Sequence, residues 1–395
     1  MLHAIPRHNV NLTSAELRLV VQGALGNFSE NQGREQFEAA ACRYFGSAHA
    51  MAIESGRAAL YLALLGLGLP DSATIVLPRY CFFSLVKVVE GMGYTPRFAP
   101  INPNTFALDP RKIQKHLDGA DAVVVIHPFG QLADMAGLQA VCATAGVPLV
   151  EDASQATGAR WGTHRAGAIG DVGVFSLVSG KNLQTFGGGL LVTHRADVMR
   201  RINQRMATSS PTADGKIQSL FRSGIQRWFL TTPLGFQGLM HPITLGLQTL
   251  APTKLDAMFY ETRAAFDPNK EIRRLSDIQG DLGCLELSEL DRRNEIRRSN
   301  ALRLIRGLHG VHGLQLPQFD ETAENSFNAV AVRVRDARSL EHRLRKHGFD
   351  TRTDYMEWFG DKKDFDDEVL YLPNHPAMGA ADIDRLVQSL RRIMR

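Results

Sequence analysis

Apolar residues along the chain fall into short continuous runs, separated by longer stretches in which they recur every third or fourth position. Strands alternating with helices give that pattern. The runs Met51–Ile53, Ile75–Leu77, Arg97–Ala99, Val123–Ile126, Pro148–Val150, Val172–Leu177 and Leu190–Thr193 read as strands. Helices are expected over Ser29–Phe45, where Phe37, Ala40, Ala41 and Tyr44 keep helical spacing, and over Ala58–Leu67, Pro110–Leu117 and Leu138–Ala145. The rhythm predicts βαβ units, hence an α/β fold with a mainly parallel sheet and helices on both faces. Farther along, Leu282–Leu308 reads as a long helix with alternating charge. A strand at Ala329–Val334 and helices at Ser339–His347 and Ala381–Met394 then suggest a smaller C-terminal α+β domain. The division expected is 1–260 for the large domain and 261–395 for the small one.

Composition narrows the partners. A chain of 395 residues, 44% hydrophobic and 22% charged, can bury about two domain cores and is ordinary for a soluble protein. The net charge of +4 comes largely from late arginine pairs, Arg292-Arg293, Arg297-Arg298 and Arg391-Arg392. They lie at exposed-helix spacing without interleaved aromatics, so nucleic-acid binding is not expected. The four cysteines are far apart with no CxxC pair, which argues against zinc or a disulfide framework and for a reducing cytoplasm. His309 and His312 sit in a glycine-rich turn, and no metal site is expected. The opening MLHAIPRHNV lacks the apolar run of a secretion signal.

Chemistry concentrates between Val150 and His194. A buried parallel strand ending in Glu151-Asp152 delivers a carboxylate to the sheet edge where open α/β sheets bind ligands. The next strand leads through Ser176 to Ser179-Gly180 and presents Lys181, and Gly187-Gly188-Gly189 turns the chain into a further strand. An amine held away from water can condense with an aldehyde such as that of pyridoxal 5'-phosphate. Lys181 is the candidate for that bond, and Asp152 for keeping the ring nitrogen of such a group protonated. Ser176 could bind its phosphate, and Gln155 its ring hydroxyl or a substrate. Upstream, Ser55-Gly56 ahead of an apolar helix offers backbone N–H groups to an anion. Phe82, at the next helix start, reads either as a cover for one ring face or as core. Taken singly, these residues read as a helix cap, a solvated charge and a turn; only their combination points to a site.

In order and spacing, EDASQATGA, GDVGVFS and SGKNLQTFGGGLLVT resemble the motifs of the DegT/StrS family of pyridoxal-phosphate-dependent (nucleotide-sugar) aminotransferases. Ser55-Gly56-Arg57-Ala58-Ala59-Leu60, Pro78-Arg79-Tyr80-Cys81-Phe82 and Leu372-Pro373-Asn374-His375-Pro376 are similar to further family segments. The resemblance implies a fold-type-I transaminase and a homodimer with sites at the subunit boundary. It implies Lys181 and Asp152 as catalytic residues, with Gly56, Arg57, Phe82, Gln155 and Ser176 completing the cofactor set. The implied substrates are a small-molecule keto acceptor, a nucleotide-linked keto sugar, and an amino acid donor, glutamate. Arg57 stands where the family has threonine, and its guanidinium either meets the phosphate or faces solvent. Ile272-Arg273-Arg274 stands where the family has an Asn-aromatic-Arg run, so the asparagine that reaches the partner's phosphate is missing; Arg273 or Arg274 either replaces it or is a surface charge. Tyr355 and His375 are expected in loops lining the substrate cleft.

One stretch departs from the family. Residues 206–262 form an atypical insertion, and Trp228 through Thr253 hold no Asp, Glu, Lys or Arg. Pro233, Gln237, His241 and Pro242 interrupt it, and a membrane-crossing helix needs about 20 mainly apolar residues. The remaining readings are short helices that cover the site mouth or widen a dimer interface, and an apolar face through 217–253, flanked by Arg222, Arg227 and Lys254, that touches a membrane or a hydrophobic substrate. The rival functions are transamination of a hydrophobic ketone, a lyase such as a dehydratase, and a non-catalytic DegT-like binding protein. The lysine argues against the dehydratase, and the complete residue set against the silent homologue.

Overall fold

In the computed structural model of the chain, residues 4–28, 32–250, 265–353, 355–360 and 368–395 are described. Ser29, Thr253, Lys254 and the end of the 206–262 stretch lie outside them. Seven strands form the main sheet: β1 (His49–Ile53), β2 (Thr74–Pro78), β3 (Thr95–Ala99), β4 (Ala122–Ile126), β5 (Leu149–Asp152), β6 (Val172–Ser176) and β7 (Gly189–Thr193). Their spatial order is β1-β7-β6-β5-β4-β2-β3. Every neighbouring pair is parallel except those made by β7, which runs antiparallel to both β1 and β6. β4 is buried at all five positions, as its unbroken Ala-Val-Val-Val-Ile run requires of a strand covered on both faces.

Helices cover both faces. α1 (Ser14–Leu25), α2 (Gly33–Phe45), α3 (Gly56–Leu67), α4 (Phe83–Gly91), α5 (Met135–Ala145) and α6 (Ala196–Met206) accompany the sheet. α2 begins at Gly33, and its Phe37 and Ala41 are fully buried against Ala52 and Leu190 of the strands. The stretch expected as one helix from Pro110 to Leu117 is an α-turn over Pro110–Ile113, continued as a 3₁₀ turn over Gln114–His116. Beyond β7, α7 (Asp214–Thr231) leads through Pro233–Gly235 and a π-helical turn at Phe236–Met240 into α8 (His241–Leu250).

α9 (Asp277–Leu308) starts five residues before the apolar period suggested, because Ser276 sits at its N-cap and Ile278 is already buried. At 32 residues, or roughly 48 Å of helix, it runs from α2 beside the main sheet to a second core. That core holds a three-stranded antiparallel sheet of β8 (Leu314–Gln315), β9 (Val330–Val334) and β10 (Glu368–Leu372), with α10 (Ala337–Lys346) and α11 (Ala380–Ile393). Ile5 is part of it, bridging to Phe349, so an early segment of the chain closes a cluster otherwise built from late ones.

Candidate functional site

Strand alternation decides which of two adjacent carboxylates faces a ligand. Glu151, fully buried, accepts backbone N–H bonds from Gly167 (2.9 Å), Ile169 (2.6 Å) and Gly170 (2.5 Å), so it fastens the loop ahead of β6. It also meets His127 at 3.0 Å. His127 Nδ1 accepts from the Ala133 N–H, so Nε2 carries the hydrogen and donates it to Glu151. Asp152 points the other way. Its Oδ1 takes the Ser154 N–H at 3.0 Å, and Oδ2 has no partner among the described residues. Cys81 lies close enough to feel it, since burial first and the Asp152 charge second push the Cys81 thiol up.

The parallel register pairs Asp152 with Val174, and Ser176 follows two residues on, at the exit of β6. There it meets the start of α3. A side chain on Gly56 would come within 2.9 Å of Ser176 Cβ, so only glycine lets the helix N-terminus approach the strand end so closely. Ser55 caps that helix, its hydroxyl accepting from the Ala58 N–H at 3.1 Å. The free N–H groups of the first turn and the Ser176 hydroxyl therefore converge. The Arg57 guanidinium forms an ion pair with Glu271 at 2.9 Å, next to the segment that contains Arg273 and Arg274. Arg273 lies near Glu54 at 3.7 Å and donates to the Pro211 carbonyl.

Lys181 is 8% exposed, and its Nζ sits 5.1 Å from the Phe82 ring centre and 3.4 Å from the Tyr355 hydroxyl. Phe82 and Tyr355 meet edge to face at 4.8 Å, so two aromatic rings wall the amine. Gln155 belongs to the same pocket. Its Oε1 accepts from the Phe129 N–H at 3.1 Å, while Nε2 lies 3.8 Å from the sulfur of Met356, the neighbour of Tyr355. The structure thus brings Asp152, Gln155, Lys181, Phe82 and Tyr355 to one side of the strand tips, with Gly56 and Ser176 together beside them. Tyr371, deeply buried and bonded to Tyr80 at 2.6 Å, backs this wall; burial and the Tyr80 phenol raise its pKa well above the ordinary phenol range.

Three contributors were not evident from sequence spacing. Asn328 donates to the Gly180 carbonyl at 3.1 Å and to Asn182 Oδ1 at 3.0 Å, gripping the residues on either side of Lys181. Asn182 in turn donates to Asn294 of α9 at 3.0 Å, and Asn294 to the Thr157 carbonyl at 2.9 Å. Next to Asn328, Phe327 holds a left-handed φ of 41° although it carries a bulky side chain, and Asn374 secures its carbonyl at 2.7 Å. The second contributor is His8, whose ring packs over Gly180. Its pKa is lowered to about 3, by burial first and then by Arg7, His375, Arg352 and Lys181, so it is neutral at physiological pH. The third, Arg352, places its guanidinium 5.4 Å from the Tyr355 ring centre. His375 lies behind His8, with Nε2 against the Pro6 carbonyl at 3.1 Å and a pKa lowered to about 4, chiefly by burial. Among the described residues, no group of three His, Cys, Asp or Glu side chains is arranged to hold a metal ion.

Comparison with known proteins places this geometry. The DegT/DnrJ/EryC1/StrS aminotransferase family profile matches residues 13–244 and 271–391, passing over the end of the insertion. The chain is 30% identical over 259 residues to the L-glutamine:2-deoxy-scyllo-inosose aminotransferase of Streptoalloteichus tenebrarius, covering 65% of this chain and 52% of that one. It is 33% identical over 208 residues to the dTDP-3-amino-3,4,6-trideoxy-alpha-D-glucose transaminase of Streptomyces venezuelae, covering 50% and 54%. The matches thus span about half the length of these two relatives. In fold, the chain resembles the aminotransferase TlmJ from Streptoalloteichus hindustanus with a TM-score of 0.76 at 23% identity, covering 98% of each chain.

Proposed function

The chain belongs to the DegT/DnrJ/EryC1/StrS aminotransferase family, and from that premise we propose that it is a pyridoxal-phosphate-dependent transaminase, moving an amino group from an amino acid donor to a keto acceptor. The observation that carries this reading is the Lys181 amine, buried between the Phe82 and Tyr355 rings on the side of the strand tips where Asp152 ends β5. The residues present fit pyridoxal 5'-phosphate: an amine, a carboxylate with one oxygen uncommitted, an aromatic wall, and an anion cradle that a Cβ at Gly56 would crowd. When bound, that group supplies an aldehyde and an electron-withdrawing ring through which an amino group is taken up and handed on.

Each role follows from position. Lys181 holds the aldehyde at rest; once a donor amine displaces it, Nζ takes the proton from the donor Cα and returns it to the adjacent carbon. Asp152 keeps the ring nitrogen protonated, and Phe82 covers one ring face. The first-turn N–H groups of α3 and the Ser176 hydroxyl hold the phosphate. Gln155 exchanges a weak contact with the Met356 sulfur for a stronger one to the ring hydroxyl or the substrate. The acceptor proposed is a nucleotide-linked keto sugar. Relatives named for an inosose and for a dTDP-linked amino sugar support an oxidised polyhydroxy ring. Glutamate is the donor proposed, and the relative named for L-glutamine makes that amide the first alternative. Four free cysteines support a cytoplasmic setting, and the family resemblance supports a homodimer.

The test is spectroscopic. Pyridoxal phosphate added to the wild type should generate a visible band that bleaches with glutamate or glutamine and returns with a keto acceptor. Lys181→Ala should give neither band nor turnover, and persistence of either would reject its assignment. A non-catalytic homologue would leave the band unmoved by donors, and a lyase would turn over without an acceptor. A panel of keto sugars and apolar ketones then identifies the acceptor.

A further inference from the structure

The run between β7 and α9 has one side docked on the body of the protein and one side left open. On α7, Phe221 is buried with its ring against Gly23 of α1. On α8, Thr244 is buried, and Gln248 reaches α10, donating to the His342 carbonyl at 3.3 Å and accepting from Arg345 at 2.8 Å. Thr244 and Gln248 are one turn apart and define the inner side. Leu239, Ile243 and Leu250, at four- and seven-residue spacings, share another side, and they are 47%, 41% and 87% exposed. Leu234 is 78% exposed at the start of the same run.

This open side continues onto neighbouring helices. Val21 and Leu25, one turn apart on α1, are exposed. Arg222 of α7 reaches across to the Ala24 carbonyl at 3.1 Å, and the exposed Phe229 stands seven residues on, on the same helix face as Arg222. The charges around the face have one sign. Arg18, Arg222 and Arg227 are exposed, and from Gly215 to Leu255 the sequence contains no Asp or Glu. The single carboxylate of α1, Glu16, is buried in an ion pair with Arg293 at 2.7 Å.

An apolar face of this extent marks an interaction site, and its cationic border selects an anionic partner. A second copy of the chain joined through this face would set these arginines against the same arginines, with no acid to compensate. We propose that the face is a peripheral membrane contact that rests in the plane of an anionic bilayer. Phe229, Leu234, Leu239, Ile243 and Leu250 enter the headgroup–acyl boundary, and Arg18, Arg222 and Arg227 meet lipid phosphates. The contact lies on the surface, because no helix among the described residues is long and apolar enough to cross a membrane. It does not depend on the identity of the keto acceptor.

Full-length protein sedimented with phosphatidylcholine vesicles, with and without phosphatidylglycerol, tests the proposal, with light scattering to follow the oligomeric state. Wild type should pellet with the anionic vesicles and much less with the neutral ones. Arg222→Gln/Arg227→Gln should lower partition roughly 30-fold, at about tenfold per 1.4 kcal/mol and about one such charge contribution per arginine. Leu239→Gln/Ile243→Gln/Leu250→Gln should abolish binding while leaving subunit number and thermal midpoint unchanged, since these positions are exposed. Three results would overturn the proposal: wild type left in the supernatant of anionic vesicles, variants that pellet as well as wild type, or an apolar variant that changes the subunit number, which would make the face a contact between copies.

Discussion

Asn328→Ala removes the one side chain that grips the residues on both sides of Lys181. Asn328 is 4% exposed, and its Nδ2 satisfies both the Gly180 carbonyl and Asn182 Oδ1, at 3.1 and 3.0 Å. Its own Oδ1 has no partner, so the substitution strands two acceptors and relieves one orphan. At ~1–3 kcal/mol for each buried group left unpaired, the net loss is about 2–3 kcal/mol. With an unfolding entropy of roughly 2.1 cal/mol/K per residue over this length, that is ~3 °C in the thermal midpoint if unfolding is cooperative. The functional loss should be larger, because displacing a reacting group by ~1 Å costs on the order of a hundredfold in rate. Asn328 thereby acts as a positioning residue: kcat should fall while KM for the acceptor stays within a few-fold, and the pH dependence of the visible band should shift. Asn328→Asp, nearly isosteric, should be no better than alanine, because it points a carboxylate at two oxygen acceptors. The measurements are differential scanning fluorimetry, steady-state kinetics and a spectrophotometric pH titration. A thermal midpoint within 1 °C of wild type together with unchanged kcat would refute the reasoning, as would recovery in the aspartate variant.

Two further substitutions probe the site and its surroundings. His375, its pKa lowered to about 4 in the folded chain against an ordinary 6.5, stays neutral while the unfolded chain takes up a proton, so stability falls as pH drops from about 6.5 toward 4. His375→Gln, which can still donate to the Pro6 carbonyl, should flatten that acid limb in denaturation midpoints measured across the range; an unchanged limb would assign it to other groups. Gly56→Ala places a methyl 2.9 Å from Ser176 Cβ, so the affinity for pyridoxal phosphate should fall by tenfold or more with little loss of thermal stability in the cofactor-free protein, read by spectral titration. Equal affinity would remove Ser176 and the α3 N-terminus from the phosphate role.

The parts of the site that follow one another in sequence were legible because strand alternation and the sheet-edge rule act locally. Asp152, Gln155, Ser176 and Lys181 all lie within one βαβ-like span, and Glu151 is distinguished from Asp152 by the same alternation that forms the strand. Asn328 and His8 were not legible. They reach Gly180 from more than a hundred residues away in the chain, and neither carries a local pattern that says so. Tyr355 was expected only as a cleft residue; its place beside Lys181 depends on how the second core docks. The reversed direction of β7 was in principle readable, since the loop before it lacks the helical period that a parallel return needs. The insertion's apolar composition was plain, but which side faces outward depends on Gln248 meeting Arg345, a contact that no period encodes.

The bridge from Ile5 to Phe349 has a consequence for biogenesis. An edge made within the first moments of translation finds its mate only when nearly the whole polypeptide has left the ribosome. Until then the segment carrying His8 has nothing to lie against, so closure over the lysine loop must be a late event. The catalytic chamber would then be among the last places to take its final shape.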